Sequence, residues 1–209
     1  MKEIITIQHA ESLQHVNGMV GGWTDWELTD RGKKQAEAIG RNLSKRMTLG
    51  KEYIMYSSDL MRTRQTAEIC GSYLGLSPIL TESLREIYFG SATGQSMEWM
   101  RVHALPGSLA EPGVHYRNLP DAESLYDVYL RLSPFIDSLL ASEHERFIVV
   151  SHSAALGMFF SRWLQLDVEQ VPNIRFAGEA AGVSKLCLTD EKIYMLCYLN
   201  DTSDWSQEL

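Results

Sequence analysis

Short apolar runs alternate with longer amphipathic segments along this chain of 209 residues. The runs are rich in β-branched and aromatic residues, which is typical of strands, and they lie at residues 4–7, 53–57, 78–80, 146–151, 183–188 and 192–198. Apolar residues recur at helical spacing between most of these runs, in segments that start near Thr29, Ser58, Met97, Asp121 and Ser153. This alternation predicts an α/β fold in which helices cover a sheet.

The stretch from Ser96 to about Asp121 differs from the rest because proline and glycine interrupt it repeatedly. Apart from a predicted helix over 97–103 it has poor periodicity, and loops of this length in compact domains are usually functional or disordered. We expect a single domain over 1–209 with a cap insertion at about 91–135. In the long helix predicted to start near Asp121, Pro134 predicts a kink or a break.

Composition and charge exclude several classes of function. The formal net charge is -8 and Lys and Arg form no run, which argues against a nucleic-acid surface or an anionic membrane as the main partner. The N-terminus lacks a signal-peptide pattern, and no stretch is long enough to span a bilayer. The three cysteines (Cys70, Cys187 and Cys197) have no metal-binding spacing, so we expect reduced, buried thiols and a cytoplasmic protein.

Two histidines follow predicted strands directly. His9 ends the first run and His152 ends the run at 146–151, the clearest core strand. Open α/β sheets place their ligands at the carboxyl ends of strands, so both histidines are candidate site residues. The alternative for either one is a histidine that only caps a strand and bonds nearby backbone.

An arginine and a carboxylate complete a possible site. Arg62 lies in the first turn of a predicted helix, where backbone amides and a guanidinium together favour an anion. Glu86 is flanked by Leu84 and Ile87, and burial there would raise its pKa toward that of a general acid. Alternatively, both are ordinary surface or ion-paired side chains. Phosphoryl transfer needs a neutral imidazole, cations and amides around the phosphate, and a proton donor, and these four residues supply all of them.

The motifs that contain these residues resemble those of the histidine phosphatase superfamily, also called phosphoglycerate-mutase-like. The resemblance runs through nearly the whole chain and keeps the family's order. The matching blocks are Gln8-His9-Ala10-Glu11, Leu28-Thr29-Asp30-Arg31-Gly32, Ser57-Ser58-Asp59-Leu60 with Arg62, Leu84-Arg85-Glu86 with Phe89-Gly90, and Val149-Val150-Ser151-His152.

The resemblance implies a three-layer α/β/α sandwich with a mostly parallel central sheet. It also implies a metal-independent phosphomonoester phosphatase, with no cofactor, that acts on a small phosphorylated metabolite through a phosphohistidine on His9. Glu86 would protonate the leaving oxygen and later activate water. The phosphate would be held by Gln8, Asn17, Arg62, His152 and the amide of Ser153.

The chain departs from the family pattern at two positions. Gln8 stands where the family has its first arginine, and Ala10 stands where it has a glycine. A glutamine donates a hydrogen bond but brings no charge, so we expect reduced activity unless Arg64 or Arg85 restores the charge. Two other functions therefore stay open, a phosphoglycerate mutase and a non-catalytic protein that binds a phosphate ligand. The sequence does not indicate an oligomeric state.

Overall fold

The computed structural model describes residues 1–47, 52–106, 113–174, 176 and 178–206. Within these residues, six strands form one sheet: β1 (Lys2–Gln8), β2 (Ile54–Ser58), β3 (Ile79–Thr81), β4 (Arg146–Ser151), β5 (Val183–Leu188) and β6 (Tyr194–Asp201). The order across the sheet is β3-β2-β4-β1-β5-β6. The first four are parallel, and β5 and β6 are antiparallel additions at one side.

Helices accompany the strands. They are α1 (Leu13–Val16), α2 (Asp30–Arg46), α3 (Met61–Leu74), α4 (Met97–His103), α5 (Leu125–Ala141) and α6 (Ser153–Trp163). Short 3₁₀ turns lie at Glu82–Leu84, Gly90–Ala92 and Val168–Asn173. No helix in the described part of the chain is long and apolar enough to cross a bilayer.

The sheet buries apolar side chains on both faces. Along β1 and β4 the side chains alternate, so that Ile5 and Ile148 pack with α2 and α3, whereas Ile4 and Phe147 pack with α5 and α6. Each face forms its own core cluster, and this double burial explains why β1 and β4 are continuous apolar runs. The expected three-layer α/β/α sandwich with a mostly parallel sheet is therefore confirmed.

Some local expectations need correction. The helix expected to start near Ser58 is α3, which begins at Met61; its N-cap is Leu60, and no side-chain hydrogen bond caps it. Helix α5 begins after Ser124 and runs through Pro134 without a break, because apolar side chains on both sides of the proline are held in the core. Cys197 is exposed on β6, although Cys70 and Cys187 are buried, and all three thiols are free.

Candidate active site

The sheet register brings the two strand-end histidines together. Gln8 and Ser151 are paired across β1 and β4, so the next residue of each strand leaves the sheet at the same level. The rings of His9 and His152 lie edge to face with their centroids 5.1 Å apart, and both are buried. Parallel strands that are neighbours in the sheet thus create the pair, although 143 positions separate it in the chain.

Hydrogen bonds fix the tautomer of His9. Its Nδ1 lies 2.8 Å from the carbonyl oxygen of Ala10, to which it donates, and Nε of Arg62 donates to its Nε2 over 3.2 Å. Nε2 is therefore the unprotonated nitrogen, and its lone pair accepts the hydrogen bond from Arg62. Burial, and then the guanidinium of Arg62, lower the pKa of His9 well below its usual range. The ring is neutral at physiological pH, as a nucleophile requires.

Arg62 is fully buried in the first turn of α3. Its Nη1 donates to the carbonyl oxygen of Thr24 and its Nη2 to that of Gly22, each over 2.8 Å. Gly22 has φ +57°, and a Cβ there would lie 2.9 Å from the Phe89 ring, so a glycine is required at this contact. Burial lowers the pKa of Arg62 to about 10, which still leaves it charged at neutral pH.

Glu86 lies at the N-terminus of α6. Its carboxylate accepts hydrogen bonds from the amides of Ile87 (2.9 Å), Ala155 (3.1 Å) and Ala154 (3.3 Å). Burial raises the pKa of Glu86, while these amides and the nearby charge of Arg62 act in the opposite direction. The direction of the shift is that of a group that must hold a proton in one step and release it in another.

A set of side chains fixes the backbone around Glu86. The carbonyl oxygen of Glu86 accepts hydrogen bonds from Trp23 Nε1 (2.7 Å) and from Arg131 Nη2 (3.1 Å). Arg131 also bonds the carbonyl oxygen of Arg85 and forms an ion pair with Glu123, which lies within the expected cap region. The peptide that carries Glu86 is thus tied to α5 and to the segment just before it.

Arg85 and Arg64 do not supply a free charge to the site. Arg85 donates two hydrogen bonds to Asp59, at 2.8 and 2.5 Å, and its guanidinium lies over the Trp23 ring. Arg64 pairs with Glu68 one turn further along α3. The positive charge that the Gln8 substitution removes is therefore not restored by either arginine.

His152 has one satisfied and one unsatisfied nitrogen. Its Nε2 lies 3.0 Å from the hydroxyl of Ser58, at the end of β2. Its Nδ1 is buried and has no hydrogen-bond partner among the described residues. An unpaired buried nitrogen costs free energy, so this nitrogen is a candidate contact for a bound ligand.

Three further residues were predicted to bind the phosphate: Gln8, Ser153 and Asn17. The side chain of Gln8 lines a small cavity of about 10 Å³ together with Ser153, Phe176 and Gly178. Asn17 is exposed, and its side-chain oxygen accepts the amide of Met19 over 2.9 Å. The structure thus brings together His9, Arg62, Glu86 and His152, with Gln8 and Ser153 adjoining them, and gives the Asn17 side chain a local backbone partner.

Sequence reasoning missed one histidine. The ring of His15, on α1, lies with its centroid 5.3 Å from that of His9. The one available signal was a second histidine six positions after His9, in the same glycine-bearing segment. Within the described residues, no group of three or more His, Cys, Asp or Glu side chains is arranged to hold a metal ion.

The segment predicted as a cap has its own small apolar cluster. Ala92, Leu119 and Ala122 pack with Val20 of the loop after α1, and Trp99 of α4 packs against them. Backbone hydrogen bonds also join the same two segments. The amide of Val20 donates to the carbonyl oxygen of Gln95, and the amide of Gly94 donates to the carbonyl oxygen of Val20. Part of the predicted insertion, residues 107–112, lies outside the described residues.

The profile of the histidine phosphatase superfamily (branch 1) matches residues 4–201. The chain belongs to this family. Over 204 residues, and 96% of each chain, it is 28% identical to a protein of Hydrogenobacter thermophilus whose name provisionally assigns it to the phosphoserine phosphatases. It is also 29% identical, over 84% of this chain and 80% of the relative, to a protein of Erwinia tasmaniensis provisionally named phosphoglycerate mutase GpmB.

Solved structures of the same fold lie close to this one. A mycobacterial glucosyl-3-phosphoglycerate phosphatase in complex with inorganic phosphate superposes with a TM-score of 0.83 at 25% identity, and the match covers 99% of this chain and 100% of that one. The α-ribazole phosphatase of Shigella flexneri has a TM-score of 0.81 at 20% identity, over 96% of each chain, and shows the shared fold. These comparisons support a phosphoric monoester hydrolase.

Proposed function

We propose that this protein is a phosphomonoester phosphatase that acts through a phosphohistidine on His9. The observation that carries the proposal is the contact between Arg62 and His9, in which a permanent cation faces the unprotonated Nε2. A phosphate that binds beside Nε2 places an electrophilic phosphorus next to a lone pair and anionic oxygens next to a guanidinium. This combines nucleophilic and electrostatic catalysis in one pair of side chains.

In the first step Arg62 Nε transfers its hydrogen bond from His9 Nε2 to an oxygen of the bound phosphate. The freed lone pair of Nε2 forms a bond to phosphorus, and the bond from phosphorus to the ester oxygen breaks. The leaving oxygen takes a proton from Glu86, whose raised pKa favours the protonated form needed here. The hydrogen bond from Nδ1 to the Ala10 carbonyl stabilises the positive charge that develops on the phosphorylated ring. An alcohol and a phosphohistidine result.

In the second step water attacks phosphorus and gives its proton to the Glu86 carboxylate. The bond from phosphorus to Nε2 breaks, and inorganic phosphate and neutral His9 are regenerated. The three amides at Glu86 stabilise the carboxylate between the two steps, since backbone N–H donors at a helix N-terminus favour negative charge. The same group thus alternates between acid and base.

We assign the phosphate oxygens to donors around His9. Arg62 supplies the fixed charge, and the unpaired Nδ1 of His152 supplies a buried donor. Ser153 contributes the first amide of α6, a position where helix geometry leaves the N–H unbonded within the helix. Gln8 and Asn17 belong to the proposal as uncharged donors. Because the relatives named above act on phosphorylated small molecules, we propose a substrate of that class.

Labelling of His9 tests the function. Wild-type protein would be mixed with a ³²P-labelled phosphomonoester and quenched in alkali, where phosphohistidine survives. We expect radiolabel on the wild type and on His144→Gln, and none on His9→Asn. His144 is an exposed histidine at the opposite end of β4, so it provides the matched control. Equal labelling of His9→Asn and wild type overturns the assignment.

A second candidate function is phosphoglycerate mutase, favoured by the resemblance to the GpmB protein. A mutase returns the phosphoryl group from His9 to another hydroxyl of glycerate instead of to water. The two functions differ in net phosphate release. Incubation with 3-phosphoglycerate would yield inorganic phosphate from a phosphatase, whereas a mutase would yield 2-phosphoglycerate with no release of phosphate.

A further inference from the structure

The loop after β1 brings a third imidazole to the site. His15 lies on α1, the first helix after His9, and its ring centroid is 5.3 Å from the His9 ring, almost the distance that separates His9 from His152. The planes of the His9 and His15 rings are inclined by 32°. His15 is exposed, whereas His9 and His152 are buried, so His15 lies on the solvent side of the three imidazoles.

A backbone contact fixes the tautomer of His15. The amide of Ser12 donates to His15 Nδ1 over 3.0 Å, at the start of α1. An accepting Nδ1 carries no proton, so the neutral ring carries its proton on Nε2. Within the described residues this Nε2 has no hydrogen-bond partner, and it is the nitrogen farther from Ser12.

The charges near His15 favour the neutral ring. Its charged and titratable neighbours are Arg62, Glu11 and His9. Glu11 is bound by Thr29 and Arg31, so its negative charge is largely balanced. Burial of part of the ring, and then Arg62, lower the pKa of His15. Protonation would also put an N–H on Nδ1, directly against the N–H of Ser12.

We propose that His15 binds the phosphoryl group of the substrate through its Nε2–H, as a neutral hydrogen-bond donor. The inference rests on the proposed function in one respect, because it takes the space beside His9 as the phosphate site. The site then contains Arg62 as its fixed cation and uncharged donors from Gln8, His15 and His152. Phosphate binding therefore depends more on the number of donors than on added charge.

Affinity for inorganic phosphate, measured by calorimetry at pH 7.5, tests the proposal. Phenylalanine has the bulk of histidine but no donor, so we expect His15→Phe to weaken phosphate binding by about tenfold. Glutamine restores an N–H donor at similar reach, so His15→Gln is expected to bind within about threefold of the wild type. His144→Gln is the matched control and should bind as the wild type does. Phosphate binding to His15→Phe that equals the wild type overturns the proposal.

Nitrogen-15 NMR of the histidine side chains, with His15 assigned by its loss in His15→Gln, provides a readout that a structural role would not move. The expected spectrum has a bare Nδ1 and a protonated Nε2, both with and without phosphate. Protons on both nitrogens in the complex at pH 7.5 would show a cation and refute the neutral donor.

These measurements need no turnover and so separate the two proposals. Loss of phosphate affinity in His15→Phe without labelling of His9 retains the inference and rejects the catalytic function. Labelling of His9 with unchanged affinity in His15→Phe does the reverse.

Discussion

Nε of Arg62 donates a hydrogen bond to Nε2 of His9 over 3.2 Å, and the other two guanidinium nitrogens bind the carbonyl oxygens of Gly22 and Thr24. One buried cation thus orients the proposed nucleophile and binds the loop on both sides of Trp23. If the proposed function is correct, catalysis and local stability depend on the same side chain, and substitutions here should change both.

Replacement of Arg62 by lysine separates charge from geometry. Lysine keeps the positive charge but cannot direct three donors in a fixed plane. We expect Arg62→Lys to lower kcat by about 10²-fold, and to lower the free energy of unfolding by about 1–3 kcal/mol since a buried carbonyl loses its partner. Steady-state kinetics and urea unfolding measure the two effects. Arg101→Lys, on exposed α4, is the control. Unchanged kcat in Arg62→Lys would contradict the proposed role.

Glu86→Gln tests the general acid through the pH profile. Burial raises the pKa of Glu86, so the protonated acid persists to higher pH than for an ordinary carboxyl, and activity should fall as pH rises through that pKa. Glu86→Gln should lower kcat by about 10²–10⁴-fold and remove this basic limb. Glu143→Gln, an exposed carboxylate remote from the site, should keep it. A basic limb that survives in Glu86→Gln would assign it to another group.

The buried histidines predict acid sensitivity. The pKa values of His9 and His152 are both lowered in the fold by burial and by Arg62, whereas in the unfolded chain each takes up a proton near its ordinary pKa of about 6.5. Unfolding below that pH therefore takes up protons, and the free energy of unfolding falls as pH falls, by about 1.4 kcal/mol per pH unit for each histidine. Urea unfolding between pH 7.5 and 5.5 measures it. His152→Asn should reduce the slope, and His144→Gln should not.

Gln8→Arg tests the missing charge. The side chain of Gln8 is buried beside Ser153, next to the first amide of α6, so an arginine there adds positive charge close to the phosphate site. A charge-assisted bond exceeds a neutral one by enough to lower the inhibition constant for inorganic phosphate about tenfold. Competitive inhibition at pH 7.5 is the measurement. The uncharged Gln8→Leu should raise the same constant. Equal inhibition constants for Gln8→Arg and Gln8→Leu would mean that residue 8 does not bind the phosphate.

Ser124 offers a stability test away from the chemistry. Its hydroxyl accepts the Asp127 amide over 3.2 Å and its own amide donates to the Asp127 carboxylate over 2.7 Å, which is a capping box at the start of α5. Ser124→Ala should lower the free energy of unfolding by about 1 kcal/mol. Thermal unfolding measures it, with Ser138→Ala on the exposed face of α5 as control. Equal midpoints for the two variants would show that the cap contributes nothing.

Much of the framework follows from the sequence. The continuous apolar runs of β1 and β4 and the helical repeats predicted the α/β fold, and α4 and β5 begin and end where the patterns do. Among the four residues proposed as a phosphoryl-transfer set, His9 and His152 each follow a strand and Arg62 lies at the start of a helix, whereas Glu86 was proposed from its apolar neighbours. The ends of strands and the starts of helices can be predicted because they are local features of a sequence.

The rest depends on contacts that are distant in the chain. The hydroxyl of Ser58, near the predicted start of a helix, contacts His152, which requires β2 and β4 to be neighbours. Helix α5 survives Pro134 because tertiary packing outweighs a local propensity. The approach of His15 to His9 is set by the path of a loop that no periodicity predicts. The ion pair of Arg85 with Asp59 could not be predicted from the sequence either.

The guanidinium of Arg131 links two segments of the chain. One of its nitrogens donates a hydrogen bond to the carbonyl oxygen of Glu86, and two of its nitrogens donate to the carboxylate of Glu123. Any displacement of the segment ending at Glu123 must therefore either break these hydrogen bonds or move the backbone of Glu86 with it. The position of the proposed proton donor is thereby coupled to that segment through a single planar group.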